Sequence, residues 1–364
     1  CGLLMADRGE NEFPVFACSE ALSGESGSTG LLLQQNMWEV VPLLGYGIVE
    51  QQGTQNPEED ETTCRTLTTE DLISEELLLP QSEETQQTAL IPESVEATAG
   101  TALSNFRPAV QQVQIDRTQL ADYETLVRNF YAIDANTMAG SDQLSVEKLL
   151  GMDMTLPQEG DGPQILIYHT HSQEAFADSV PGDVNTGIVG VGEYLTQVLT
   201  EQYGYRVLHH TGQYDVETRD NAYSRALPEV EQLLAKNPSI QVVIDLHRDG
   251  VGNKVHRLTK VNGKRTAQLM FFNGLSRNRK GEIKYLKNDN LQANLSFSLQ
   301  MKLKCMELYP NLAKPVYLKS YRYNLHMRKR SLLIELGNEN NTMQEAKNAM
   351  EPLAKVLNQV LSED

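Results

Sequence analysis

The run Ile-Leu-Ile-Tyr-His-Thr-His-Ser-Gln-Glu, from Ile165 to Glu174, sets His171 and Glu174 three residues apart directly after an apolar stretch. Downstream, His247 closes Val-Val-Ile-Asp-Leu-His, and Glu335 follows Leu-Leu-Ile. His-x-x-Glu, a distant His and a further Glu is the donor pattern of a zinc hydrolase. Zinc in such enzymes takes three N/O protein ligands and keeps a fourth position open. A carboxylate outside the coordination shell then handles the proton. His171, Glu174 and His247 are therefore the expected metal ligands. Glu335 is the expected general base, taking a proton from the attacking water and passing it to a leaving amine. Positions i and i+3 of a tight turn face one way, so one ion can meet both His171 and Glu174.

Other residues are rivals or helpers. His169 lies two residues before His171, and such positions share a strand face, so both histidines are expected to face the site. The spacing to Glu174 favours His171 as the ligand and leaves His169 to support a ligand from behind or to contact substrate. Asp245 is placed to orient a ligand from behind. Arg248 suits a substrate carboxylate or an oxyanion, or else an ion pair with Asp249 or Asp245. Asn338 and Asn341 position substrate or, as the better reading, cap the helix that follows. His209, His210, His256 and His326 are given structural roles.

The elements that must gather these residues start near Gln164. Strands are expected at 164–168, 205–209, 241–246, 266–273, 315–318 and 331–336, and helices at 188–203, 218–235, 288–309 and 343–361. Val191, Tyr194, Leu195, Val198 and Leu199 share one helical face, as do Ala346, Met350, Leu353, Leu357 and Leu361. Apolar runs alternating with helices predict an α/β fold with a mainly parallel mixed sheet covered on both sides. In such sheets the site lies beyond the carboxyl ends of the strands. A helix over Asp116–Ile133 and a second over Ala135–Leu150 read as a small lead-in lobe, 115–160, beside a catalytic domain, 161–364.

Composition divides the chain. Residues 1–159 carry 6 Lys+Arg against 27 Asp+Glu, whereas 160–364 carry 25 against 22, so the net charge of −18 belongs to the first half. Residues 51–100 hold 12 acidic residues and only Arg65, amid Gln, Thr, Ser and Pro. Such a segment buries too little apolar area to offset its ordering entropy. Residues 1–114 are accordingly expected to be an N-terminal segment and a disordered acidic stalk. Met37–Val49, with Trp38, suggests a docking segment or a remnant near a membrane. Residues 251–330 hold 18 basic and 3 acidic residues and are expected to form an insertion, with a hairpin (Val255–Lys260, Arg265–Phe272) and a long helix, walling a groove or holding an anionic partner. Cys1, Cys18, Cys64 and Cys305 have no metal-site spacing and imply no disulfide framework. No run of 18 apolar residues is present. Opening at Cys1 without Met, the chain is expected to be a processed or truncated product, with truncation favoured over a lipidated N-terminal cysteine.

Three motifs in order, His-Thr-His-Ser-Gln-Glu-Ala-Phe (169–176), Ile-Asp-Leu-His-Arg-Asp (244–249) and Leu-Ile-Glu-Leu-Gly-Asn-Glu-Asn-Asn (333–341), resemble the stage II sporulation protein P family over residues 115–364. The resemblance implies an amidase-like zinc cell-wall hydrolase of forespore engulfment. It would cut the amide between muramic acid and L-alanine and act as an endopeptidase on peptide cross-links. It further implies an N-terminal membrane anchor, an extracytoplasmic catalytic domain, and sporulation proteins D (a lytic transglycosylase) and M as partners. The substrate would be a peptidoglycan glycan strand with its stem peptide, and no nucleic acid is expected as a partner. Two alternatives stay open. A metallocarboxypeptidase-type peptidase uses the same ligands but needs a closed pocket and a cation for a free carboxy terminus. A non-catalytic wall-binding or scaffold protein would keep the fold and lose the chemistry.

Overall fold

The computed structural model describes residues 120–157, 160–252 and 255–362. The expected acidic stalk, the docking segment and Cys1, Cys18 and Cys64 lie outside the described residues. Seven strands form the central sheet: β1 (Tyr131–Ile133), β2 (Ile165–Tyr168), β3 (Val207–His209), β4 (Val242–Asp249), β7 (Leu269–Gly274), β10 (Val316–Lys319) and β11 (Arg330–Asn338). Two short hairpins lie outside it, β5 (Leu258–Val261) with β6 (Lys264–Ala267), and β8 (Arg277–Asn278) with β9 (Gly281–Glu282). The order across the sheet is β1-β10-β7-β11-β4-β2-β3. All neighbours are parallel except β7 and β11, which run antiparallel. The expected mainly parallel sheet is present, but as two parallel blocks that point opposite ways.

The pleat sorts side chains to the two faces with period two. Ile165 and Ile167 of β2, Ile244 and Leu246 of β4, and Ile334 and Leu336 of β11 enter one large apolar core. Helices α3 (Ile188–Tyr203), α5 (Leu291–Leu308) and α6 (Met343–Leu361) bury their apolar faces in that core. Each fully buried Leu or Ile contributes about 1.5–3 kcal/mol by leaving water. On the other face, Leu166, Tyr168 and Val243 pack against α4 (Ala222–Lys236) through Ala222, Ala226, Val230 and Leu234. Burial on both faces explains why these strands read as unbroken apolar runs.

Two expectations about organisation are corrected. The predicted lead-in helix stops at Phe130: α1 is Tyr123–Phe130, capped by the Asp122 carboxylate, which accepts from Thr125 N. Tyr131–Ile133 instead pair with Val316–Leu318 as the edge strand β1, so this segment belongs to the main sheet. Only α2 (Val146–Leu150) remains of the second predicted helix. Residues 251–330 are likewise no insertion, because they supply β7, α5 and β10 to the central sheet and its core. The predicted strand 266–273 divides at Gln268, whose backbone N–H turns to Arg257 O (3.2 Å). No helix among the described residues is long and apolar enough to cross a membrane.

Candidate metal centre

The chain leaving β2 is anchored from two sides. Asp245 accepts from Thr170 N (2.9 Å) and Thr170 Oγ1 (2.6 Å). Asp215 accepts from Ser172 N (3.0 Å) and Ser172 Oγ (2.8 Å). His171, held between these points, turns its ring toward His247, with ring centroids 5.1 Å apart and nearly perpendicular. Glu174 is fixed in turn: its Oε2 accepts from Arg248 N (2.7 Å) and its Oε1 from Arg219 (2.8 Å). His247 comes from β4, where it shares a face with Asp245, two residues back. Asp245 Oδ1 lies 2.8 Å from His247 Nε2, a short ionic contact without hydrogen-bond alignment. The Tyr223 ring stacks beside His247 and meets His171 edge-on.

One donor atom each of His171, Glu174 and His247 falls within 4.8 Å of the others, and all three residues are buried. His171 Nδ1 is 3.7 Å from Glu174 Oε1, and His247 Nδ1 is 3.6 Å from Glu174 Oε2. Ligands at about 2.0–2.2 Å from a tetrahedral ion stand about 3.3–3.6 Å apart, and these two separations, each to its own carboxylate oxygen, lie close to that range. His171 Nδ1 is buried with no hydrogen-bond partner, a costly state that an ion would relieve. The electrostatics agree. Burial opposes a charge on His247, but Asp245 and Glu174 outweigh it and hold its pKa well above the usual imidazole value. Burial, with Arg219 and His247, holds His171 well below it. Burial also opposes a charge on Glu174, but Arg219 and His247 hold its pKa well below the usual carboxylate value. These carboxylates favour positive charge at His247, and a dication supplies it in the proton's place.

Glu335 lies opposite His247 in the β11–β4 register and lines the same small cavity as His171, Arg219, Tyr223 and His247. It does not end its strand, as the sequence suggested. β11 continues to Asn338 through a bulge after Glu335, where Gly337 takes φ 57, a left-handed conformation that favours glycine. Glu335 is 6 % exposed and its Oε2 has no hydrogen-bond partner. Burial, then the Asp249 charge, push its pKa up to about 8, against the pull of His247. A carboxyl group that gains and loses a proton near neutrality suits general acid–base work.

The structure therefore gathers His171, Glu174, His247 and Glu335 on one sheet face. It places Arg248 beside Glu174 through its main-chain N–H, and sets His169 and Asn338 among other partners. His169 is fully buried with its ring on the opposite side. Its Nδ1 contacts Leu246 O (2.8 Å), and its Nε2 contacts His209 Nε2 (2.9 Å). The ring packs on Gly192 of α3 where a Cβ would come within 2.6 Å. The shared-face expectation fails because β2 ends at Tyr168, so strand alternation does not govern 169–171, and so enclosed a ring cannot reach substrate. Arg248 forms neither expected ion pair. Its guanidinium donates to the carbonyls of Ala175 (3.0 Å) and Asp249 (3.1 Å) and braces the turn. Asn338 is fully buried in a turn, its N–H donating to Asn341 Oδ1 (2.9 Å) and its Oδ1 accepting from Asn340 N (3.0 Å). Neither asparagine caps α6. Thr342 does, in a capping box with Glu345. Sequence reasoning missed Arg219, Tyr223 and Asp215. Arg219 sits in an ordinary mixed-charge stretch before α4, and nothing local marks it.

A family model described as Stage II sporulation protein P matches residues 52–358. Stage II sporulation protein P of Bacillus subtilis (strain 168) is 25 % identical over 222 residues, which are 55 % of this chain and 52 % of that protein. The chain thus spans about half the length of that relative. Among solved structures, the N-acetylmuramoyl-L-alanine amidase AmiC2 of Nostoc punctiforme aligns at 12 % identity and a TM-score of 0.34, covering 56 % of this chain and 97 % of that one. The CwlD amidase from Clostridioides difficile, in complex with the GerS lipoprotein, aligns at 13 % identity and a TM-score of 0.33, covering 53 % and 94 %.

Proposed function

The chain belongs to the stage II sporulation protein P family, and from that premise and the buried His171–Glu174–His247 cluster we propose that it is a zinc-dependent peptidoglycan hydrolase acting in sporulation. The bond cut is the amide between N-acetylmuramic acid and L-alanine, with endopeptidase action on stem-peptide cross-links as a second activity. His171, Glu174 and His247 hold the ion. When bound, zinc supplies a Lewis acid that polarises the amide carbonyl and lowers the pKa of water. Glu335 takes the proton of the attacking water and delivers it to the departing alanine nitrogen. Asp245 holds His247 from behind, and Arg219 holds the Glu174 carboxylate in place. Action in the extracytoplasmic space, from a membrane anchor, with sporulation proteins D and M as partners, belongs to the same reading.

The observation that supports this most strongly is the juxtaposition of three donor atoms within 4.8 Å of one another with the unpartnered, buried Glu335 Oε2 in the same cavity. The test measures zinc content and released muropeptides for the wild type and Glu335→Gln. We expect about one zinc per chain in both and a fall in hydrolysis on the order of 10³-fold in the variant. Wild-type hydrolysis by the variant would remove Glu335 from the chemistry, and a wild type that binds no zinc would remove the metal. Release of single terminal residues in place of intact stem peptides would indicate a carboxypeptidase.

A further inference from the structure

The cavity beside the metal centre is nearly closed. Its volume is about 10 Å³, room for about one water. Nine residues line it, and eight of them are buried. Arg219 is the exception, with its side chain 34 % exposed. A substrate amide is too large to lie inside, so it must approach from the side on which Arg219 stands. The sequence points to Arg248 as the cation for an oxyanion, but the structure turns the Arg248 guanidinium to the carbonyls of Ala175 and Asp249. The cation at the mouth is Arg219.

Its place is set by the chain on both sides. The segment between β3 and α4 is tied to the turn after β2 through Asp215, which accepts from Ser172 N (3.0 Å) and Gln173 N (3.2 Å). Arg225 of α4 donates to Tyr214 O and to Thr218 O (2.6 Å), and Ala222 N donates to Arg219 O (3.3 Å). The Arg219 backbone is therefore fixed, and its Nη2 donates to Glu174 Oε1 (2.8 Å). A guanidinium carries five N–H donors in a rigid fork, and that bond uses one. Glu174 Oε1 in turn lies 3.7 Å from His171 Nδ1, so the fork stands one carboxylate away from the expected ion position. Glu335 lines the same cavity. A polar group entering the mouth would meet a charged donor fork together with the buried carboxyl.

We propose that Arg219 is a catalytic residue, donating hydrogen bonds to the carbonyl oxygen of the amide under attack. The inference rests on the hydrolase reading and adds to it a residue and a role. The water oxygen bonds to the carbonyl carbon, Glu335 takes the water's proton, and the π pair of the C=O moves onto its oxygen. That oxygen now carries negative charge, and the Arg219 fork meets it with charge-assisted bonds stronger than those to the neutral amide. When the C–N bond breaks, the oxygen pair re-forms the C=O, the bonding pair leaves with nitrogen, and nitrogen receives the proton from Glu335. Amide and water have become carboxylic acid and amine. Because these bonds strengthen as charge develops, Arg219 acts on kcat more than on KM.

The test uses the zinc-loaded full chain, Arg219→Ala and Arg219→Lys. Zinc affinity, read by competition with a chelator, reports how well Glu174 is held. Steady-state kinetics on a muramoyl-L-alanyl peptide are measured at saturating zinc, with and without free guanidinium, and equilibrium binding is measured for a phosphinate analogue of the tetrahedral intermediate. Arg219→Ala is expected to lose about 10²–10³-fold in kcat even at saturating zinc, with KM within about threefold of wild type. Its phosphinate affinity should fall in parallel, and free guanidinium should restore part of the lost kcat. Arg219→Lys keeps a charge beside Glu174 but loses the fork, so it should bind zinc as the wild type does and still fall about tenfold or more in kcat. Full kcat for Arg219→Ala once zinc saturates, or an undiminished phosphinate affinity, would show that Arg219 only holds Glu174; the role would be overturned and the hydrolase would stand. If Arg219→Ala does not fold, Arg219→Lys decides alone, and wild-type kcat in it would overturn the role. A zinc-loaded wild type that cleaves nothing would sink the hydrolase reading and this role with it.

Discussion

The two faces of one sheet are built from the same strands and do different work. On β4, Val242, Ile244 and Leu246 enter the core under α3, α5 and α6, while Asp245 and His247 alternate to the other side. On β11, Ile334 enters that core and the next residue, Glu335, enters the metal-site cavity. The apolar face needs no directional partner. The polar face must satisfy each buried charge with a specific atom or an ion. Stability and chemistry are thus separated by one residue of register, which is why the site can carry unpaired groups without unfolding the domain.

That contrast can be broken most sharply at Ile334 and Glu335. Glu335→Gln should cost on the order of 10³-fold in hydrolysis and, being isosteric, leave folding stability within about 1 kcal/mol. Ile334→Ala should show the reverse. It should lose about 2–5 kcal/mol in denaturant unfolding while kcat per folded molecule is retained. If both variants lose activity and stability together, the faces are not independent.

A finer test addresses how the polar face is held. Asp245→Asn keeps the shape but removes the charge beside His247. Zinc affinity, read by competition with a chelator, should fall about 10–100-fold, with hydrolysis recovering at saturating zinc. Unchanged affinity would show that Asp245 serves only Thr170.

The smallest expected effect lies at the start of α6, away from the site. Glu345 accepts from His256 Nε2 (2.8 Å), Arg265 Nε (2.9 Å), Asn341 Nδ2 (3.0 Å) and Thr342 N (3.2 Å). Burial alone would raise its pKa, but these bonds, led by His256, lower it from 4.5 to about 2. A depressed carboxylate stabilises the fold above its unfolded pKa. That contribution is lost as pH falls from about 4.5 toward about 2. Glu345→Gln should therefore lower stability by about 1–2 kcal/mol at neutral pH and flatten the acid limb of the stability profile. A variant as acid-sensitive as the wild type would place the protonation elsewhere.

Much of this is legible in the amino-acid sequence. The strands 164–168, 241–246 and 331–336 and the helix 343–361 were readable because burial on both faces leaves unbroken apolar runs and burial on one face leaves a helical stripe. His171 and Glu174 were readable because their relation is local. Asp245 is readable as support for a neighbouring ligand because strand alternation turns it away from Leu246; only the fold shows that His247 is beside it. His169 escapes that rule because β2 ends one residue before it, at Tyr168. The edge strand β1 was hidden inside a helical pattern because its hydrogen-bond partners lie far away, in 316–318.

By itself, then, the amino-acid order determined which residues could ligate, which runs would be buried, and what family the motifs belong to. Periodicity and spacing act within a few residues, and these features live at that range. Folding alone decided that β7 opposes β11, that Arg219 reaches Glu174 across 45 positions, and that Arg279, Lys280 and Lys319 line one cavity. Those relations depend on how distant segments share a sheet and its faces, and no local pattern encodes the pairing of strands.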